Sequence, residues 1–561
     1  MAFLAALALT AVLAGCAAPL PHDVERPISS AFSTPEDTEL GRLIATARPP
    51  TTKPNASAFS LLAGPQAAYS SRLALVDGAQ QTLDLQYYAI HADQSTSRLL
   101  RSIVQAARRG VRVRVLLDDF HSTGPDAQVM RLAFVPNIEM RMFNPLAGSR
   151  SSSLGRAWTI LTDFQRAQQR MHNKLFVADN ALAVIGGRNL GDAYFDAAQD
   201  DNFVDLDVLS AGSIVKDLSH SFDSYWNNVR AYPVQSLISK QDLLQLQDQF
   251  KREDQAQHAS ETAAQSPAEA RSSIWDEKPM DLQGVAWTWA LAAVLADSPA
   301  KIPTEADQSS SNTTDPGSPG PRAQLQHSAP PPTGLHRLAA PAQQADSVVD
   351  GLLTLVRNAS KDLLVVSPYF VPGPEIMTAF SAARERGVRI RVLTNSLASN
   401  DAPLAHAGYA RHRKQLLQMG VELYELRSEA ANVSSAFRAG STGSSGGSTG
   451  KSRAMLHSKL LVVDGRLVVI GSMNLDLRSQ LQNTEIAVLI ASRSFGSQAA
   501  GSIEETLSEN SWQVEIAKDG ELIWRAPKDS DRTDMRTEPD ASLPLRLMLQ
   551  LLGPLAPDRL L

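Results

Sequence analysis

The sequence predicts an α/β protein made of two similar α/β sandwich halves that share one site. Three observations carry this. The set His172-Asn173-Lys174, Asp179 and Gly186-Gly187-Arg188-Asn189 recurs as His457-Ser458-Lys459, Asp464 and Gly471-Ser472-Met473-Asn474. In both copies four residues separate Lys from Asp and six separate Asp from Gly. Arg109-Gly-Val-Arg-Val-Arg-Val-Leu116 recurs as Arg386-Gly-Val-Arg-Ile-Arg-Val-Leu393. Each repeat sits in the same alternation of apolar strands and helical stretches, the pattern of a sheet covered by helices.

At the N-terminus, residues 3–15 are apolar and end in Leu13-Ala14-Gly15-Cys16. The run is too short for a membrane span and reads as a secretory leader. Its end resembles a bacterial lipobox, which implies that Cys16 is lipidated and starts the mature chain. Ala17 after Cys16 resembles an outer-membrane sorting signal, so the expected location is the cell envelope. No Lys or Arg precedes Cys16, a departure from that pattern. Cys16 is the only cysteine, which excludes a disulfide or a cysteine metal site within one chain.

Residues 17–58, rich in Pro, Ser, Thr and charge, are expected to form a tether. Domain 1 follows over 59–303. It has a helix at 67–79, a strand at 82–90 and a helix at 95–109 ended by Gly110. The apolar runs 175–178 and 182–185 are strands joined by a turn at Asp179-Asn180. An exposed helix and loop are expected over 241–278. The apolar stretch 284–295 is expected to return to the first sheet. Residues 304–342 form a linker that cannot bury enough apolar surface to order itself. Domain 2, 343–561, repeats the plan with helices at 346–359 and 374–386, a strand at 362–370, and strands 460–463 and 467–470 around Asp464-Gly465. A Gly/Ser loop, 439–450, precedes its motif. The C-terminal stretch 543–561 is strongly apolar and fits either a bilayer headgroup–acyl boundary or an ordinary packing helix.

The motif residues suit phosphodiester chemistry. A phosphodiester is anionic, and Lys174 and Lys459 can hold its oxygens as charge develops. Asn189 and Asn474 add amide donors. An imidazole titrates near neutral pH, so of His172 and His457 one can attack phosphorus while the other protonates the leaving alcohol. No metal or other cofactor is required. A nucleophilic imidazole needs a carboxylate on its far nitrogen. Glu485 is one candidate and Asp205 the other, with Asp207 as the alternative to Asp205. Asp179 and Asp464 fit turn positions. The pairs Asp118-Asp119 and Asp200-Asp201 are expected in solvated loops, and His91, His121, His220, His406 and His412 as packed polar residues. Ser472 and Arg170 are candidate substrate contacts, Arg170 within a cationic rim with Arg150, Arg156 and Arg166. The formal charge of −6 gives no global basic field for nucleic acid.

The two sets resemble the paired His-x-Lys-x4-Asp motifs of the phospholipase D superfamily. That resemblance implies one cleft between two similar domains related by a pseudo-twofold, with His172 the nucleophile forming a phosphohistidine and His457 the general acid and base. Met171–Lys174, Gly186–Phe195, Asp205–Val208, Gly471–Ser479 and Leu481–Glu485 look like the C-type bacterial cardiolipin synthases, which carry Gly where Gly187 replaces the usual serine. The resemblance implies phosphatidyl transfer between anionic and zwitterionic phospholipids at a membrane surface, with phosphatidylglycerol as an acceptor. Hydrolytic release of phosphatidic acid is the alternative. A nuclease and an inactive scaffold fit less well, given the charge and the intact motifs.

Overall fold

The computed structural model describes residues 20–122, 124–147, 163–198, 201–238, 278–303, 347–428, 453–528 and 530–552, with isolated positions between them. Cys16, nearly all of 241–278, the linker 304–342, the loop 439–450, Arg150 and Arg156 lie outside the described residues.

Strands of the first half are β1 (Ser57–Ala63), β2 (Thr82–Tyr87), β3 (Arg112–Asp118), β4 (Ile138–Phe143), β5 (Leu175–Ala178), β6 (Leu182–Gly186), β7 (Asp201–Val204), β8 (Leu206–Ala211) and β9 (Ala231–Pro233). Those after it are β10 (Thr288–Ala296), β11 (Asp362–Val366), β12 (Arg389–Asn395), β13 (Glu422–Leu426), β14 (Arg453–Leu456), β15 (Leu460–Val463), β16 (Leu467–Gly471), β17 (Ile486–Ala491), β18 (Ser511–Ile516) and β19 (Leu522–Arg525). Hydrogen-bonded neighbours in the first half run β9-β4-β3-β2-β5-β6-β8-β1, with β2, β3 and β4 parallel. The second half repeats this as β18-β13-β12-β11-β15-β16-β17-β10, with β11, β12 and β13 parallel. β1 and β10 pair antiparallel and join the two sheets. The halves thus meet at equivalent strands facing opposite ways, as a pseudo-twofold requires.

That pairing corrects one expectation. β10 bonds β17 of the second half over six residue pairs and β1 over three, so it belongs mainly to the second sheet. Its alternation of small and large apolar residues fits a strand buried on both faces. Residues 20–56 are not a free tether either. Arg26 Nε donates to Ala231 O, Ser29 N to Asn227 Oδ1, and Leu40 and Ile44 of the helix Glu39–Ala47 are buried in the first half's outer core. Two apolar residues four apart give this charged segment a packing stripe.

One hydrophobic core lies between the lobes. It joins Leu175, Val177, Ile185 and Val208 to Leu460, Val462, Ile470 and Val488, with the helices Ser213–Trp226 and Arg493–Glu509. An outer core in each half lies beneath the helices Gly64–Gly78 and Gln94–Arg108, or Val348–Arg357 and Pro374–Glu385. Among the described residues no helix is long and apolar enough to cross a membrane.

Asp179 and Asp464 tie the repeated turns to the sheet. Asp179, at φ 52°, accepts from the backbone N–H groups of Gln80, Gln81 and Thr82 at 2.7–2.9 Å. Asp464, at φ 53°, accepts from Ser360, Lys361 and Asp362. Each carboxylate caps the entry to the first parallel strand of its half, the structural role their spacing predicts.

Candidate active site

The histidines follow a short loop into β5 and β15, and each is bound to the opposite half. His172 N donates to Thr484 O and His457 N to Val204 O, both at 2.9 Å. The next residue on each partner segment is a carboxylate. Consequently His172 Nδ1 meets Glu485 at 3.0 Å, and His457 Nδ1 meets Asp205 at 2.8 Å. The pairs are crossed: each half supplies the carboxylate for the other half's histidine. Parallel pairing of β7 with β14, and the Arg453–Asp201 ion pair at 2.8 Å, hold this seam. With Nδ1 facing a carboxylate in both rings, Nε2 is left for chemistry.

Both lysines are buried, and each Nζ donates to the carbonyl of its own histidine, at 2.7 Å for Lys174. Burial lowers their pKa values, Lys459 to about 8 and Lys174 well below the ordinary lysine range. Burial, with the lysines' charge, takes His172 down to about 4 and His457 well below the imidazole range. Glu485 is pushed up by burial, yet His172 and Lys174 outweigh this and hold it below its ordinary value. Burial raises Asp205 against the pull of Lys459 and Arg188. Burial thus leaves both imidazoles neutral at neutral pH and disfavours the charged forms of the lysines, which an anion seated beside them would restore.

The two carboxylates are held differently. Ser472 Oγ donates to Glu485, as does Ser479 Oγ at 2.9 Å, and Asp297 Oδ2 accepts from Glu485 N at 2.9 Å. Gly187 occupies the position of Ser472 in the first copy and offers no hydroxyl. A Cβ there would lie 2.6 Å from Asp205 Oδ2. Arg188 donates to the Asp205 carbonyl, and Leu206 N donates to its carboxylate at 2.8 Å. Asp207, the alternative for the histidine partner, instead meets Arg72 at 3.0 Å. Asn189 accepts from Ala89 N and donates to Tyr194 Oη. Asn474 is buried, and its Oδ1 has no hydrogen-bond partner among the described residues.

Several sequence expectations are corrected here. Ser472 is fully buried against Glu485, so it orients a carboxylate rather than touching substrate. Arg170 is also buried, pairing with Asp118 at 3.2 Å and donating to the carbonyls of Asn144 and Arg166. Those bonds use it to hold the segment before His172, not as a headgroup rim. Asp118 and Asp119 are buried, not solvated: Asp118 accepts from Met171 N at 2.9 Å and Asp119 from Leu146 N at 2.8 Å. His220 is exposed, and His91 and His121 are half-buried rather than packed in a core. His91 meets Asp126 at 2.9 Å, and His121 lies 4.9 Å from the Tyr88 ring.

The sequence reading missed the aromatic walls. Tyr88 lies 5.1 Å from the His172 ring and 5.4 Å from Lys174 Nζ; Tyr194 and Phe203 lie 5.3 and 4.9 Å from His457. Tyr369 Oη donates to Asp401 at 2.8 Å. Asp297, Ser479 and Thr484 were missed too. The only sequence signal for Tyr88 and Tyr369 was an aromatic just after an apolar strand, which is common in any core.

A family model described as "Cardiolipin synthase, PLD-like domain" matches residues 73–226 and 352–507, which carry the two motifs. The chain is 32% identical to cardiolipin synthase C of Escherichia coli over 86% of this chain and 92% of that protein. It is also 32% identical to an uncharacterized protein of Helicobacter pylori over 88% of each. The crystal structure of a phosphatidylserine synthase from Haemophilus influenzae superposes with a TM-score of 0.53 over 90% of this chain and 96% of that one, at 11% identity, a likeness of fold.

Proposed function

The chain belongs to the phospholipase D superfamily, with two domains of the cardiolipin synthase PLD-like type, and on that footing we propose that it is a phosphatidyltransferase of cardiolipin synthase type. The observation that carries the chemistry is the crossed arrangement of His172–Glu485 and His457–Asp205 between two buried lysines.

His172 Nε2 attacks the phosphorus of a donor phospholipid, forming a P–N bond. The P–O bond to the headgroup alcohol breaks, and His457 gives its Nε2 proton to the departing oxygen. The substrate's negative charge, seated between Lys174 and Lys459, offsets the burial and the cationic field that otherwise strip His457 of that proton. In the second half-reaction His457 takes the proton of the acceptor's hydroxyl as its oxygen attacks phosphorus. The P–N bond breaks and His172 returns neutral. Glu485 and Asp205 fix the ring orientations and balance each imidazolium as it forms. An aromatic lining at the histidines limits water and favours an alcohol as acceptor. A lipid on Cys16 would keep this chemistry at the cell envelope.

The test uses purified protein with vesicles of phosphatidylglycerol and phosphatidylethanolamine, followed by lipid analysis. Cardiolipin is the expected product. Phosphatidic acid without cardiolipin would replace transfer by hydrolysis, and no lipid turnover would end the lipid reading.

A further inference from the structure

The C-terminal helix Leu543–Leu552 has two apolar faces, and among the described residues only one is packed. Leu545 and Leu549 pack against Leu397, Ala398 and Ala541. Leu543, Leu547 and Leu551, four residues apart along the helix, are 68%, 48% and 71% exposed. Spacing of four puts them on one outward stripe. Of the exposed large apolar side chains among the described residues, these three are the only ones that share a helix.

The inner face rests on the rim of the active site. Asn395, just before Leu397, exchanges hydrogen bonds with both backbone groups of Leu456, the residue before His457. Ala398 O accepts from Arg453 at 3.1 Å. Asp401 accepts from Tyr369 Oη and supports the charge of Lys459. The segment 395–401 therefore has one side on the catalytic histidine's approach and the other beneath the leucine stripe. Leu404, three residues further along, is 47% exposed.

We propose that this stripe docks the enzyme on the apolar layer of a phospholipid bilayer, with the site mouth beside it. The inference rests on the proposed lipid substrate, whose acyl chains must stay in lipid while its phosphate reaches His172. Area argues against a second copy of the chain as the occupant. Three leucines offer a few hundred Å² at most, less than the roughly 800 Å² per partner that a stable protein interface buries. Charge fits as well: the helix has Arg546 and no acidic residue, so nothing on it repels lipid phosphates.

The test compares two full-length chains, both with Cys16→Ser so that no acyl anchor contributes. One also carries Leu543→Gln, Leu547→Gln and Leu551→Gln, leaving the packed Leu545 and Leu549 intact. Sedimentation with vesicles of phosphatidylglycerol and phosphatidylethanolamine is expected to show at least a tenfold loss of binding in the triple variant at an unchanged melting temperature. Leu545→Gln with Leu549→Gln separates docking from folding, since it lowers the melting temperature. Binding of the triple variant within twofold of its parent, or no binding by the parent, overturns the proposal. So does a dimer in the parent that the triple variant loses, which would give the stripe to a second copy. Vesicle binding without lipid turnover would refute the proposed reaction and leave the docking face standing.

Discussion

Asp205→Asn removes one charge at the point where the crossed arrangement is most exposed to test. In the proposed reaction His457 must hold a proton against its burial and the charges of Lys459, Lys174 and Arg188, and Asp205 at 2.8 Å supplies the opposing negative charge. Asparagine keeps the shape and one possible hydrogen bond but not the charge. A charge-assisted hydrogen bond contributes about 1.5–3 kcal/mol. Two unit charges about 4 Å apart interact by about 4 kcal/mol at an effective dielectric near 20. The retained hydrogen bond returns part of that, leaving a loss of about 2–4 kcal/mol, or about 30- to 1000-fold in kcat. The assay is the initial rate of lipid turnover on vesicles, with KM measured alongside, since Asp205 faces the histidine and not the phosphate. The loss should fall on kcat. A melting temperature equal to the parent's would show that the fold survives. A kcat within threefold of the parent would refute the role given to Asp205, and with it the crossed pairing as what keeps His457 protonated.

Two further outcomes follow from the same geometry. The kcat/KM profile should fall on both sides: His172, lowered to about 4, loses its nucleophilic form only as pH falls through that value, whereas on the alkaline side the cations of the site are lost, Lys459 above about 8 and the more strongly lowered Lys174 before it. Lys174→Arg with Lys459→Arg should remove the lysines' share of the alkaline limb from whatever rate remains, and an unmoved limb would assign it to His457. Gly187→Ala should lower kcat roughly tenfold or more and destabilise by about 1–3 kcal/mol, because its Cβ would press into the Asp205 carboxylate in a packed site; a parental rate and melting temperature would show slack there.

The two-half plan and the motif histidines were legible because they repeat. A repeat at fixed spacing exposes residues that composition conceals, and the helix-ending glycines Gly110 and Gly387, both at positive φ, marked the same place in each half. What was not legible depends on contacts distant in sequence. Glu485 and His172 lie 313 residues apart, and no local pattern says which histidine a carboxylate serves. Arg170 and Ser472 looked like substrate contacts because a cation and a hydroxyl near a phosphate site suggest binding. Their burial, which sequence does not reveal, gives them to Asp118 and Glu485 instead. β10 was misplaced for a similar reason. An apolar strand has no sequence mark for its partner, and pairing with β17 was settled by the symmetry of the whole assembly.

The crossing itself has a simple origin in the backbone. Each histidine's N–H bonds the carbonyl just before the other half's carboxylate, so side-chain pairing follows from main-chain pairing. Neither half alone holds a complete histidine–carboxylate pair, although each holds a complete motif. The symmetry is nonetheless broken at several matched positions, among them Ser472 against Gly187. Hydroxyls on Glu485 help keep it ionised, which in the proposed reaction suits a partner that balances a positively charged phosphohistidine through a whole half-reaction. Asp205, without such a hydroxyl and raised by burial, takes up a proton more readily than Glu485, which suits the partner of a histidine that gains and loses a proton in every cycle of the proposed reaction. This difference between the copies falls where the proposed tasks of the two histidines differ, and it favours His172 as the proposed nucleophile on grounds independent of its order in the chain.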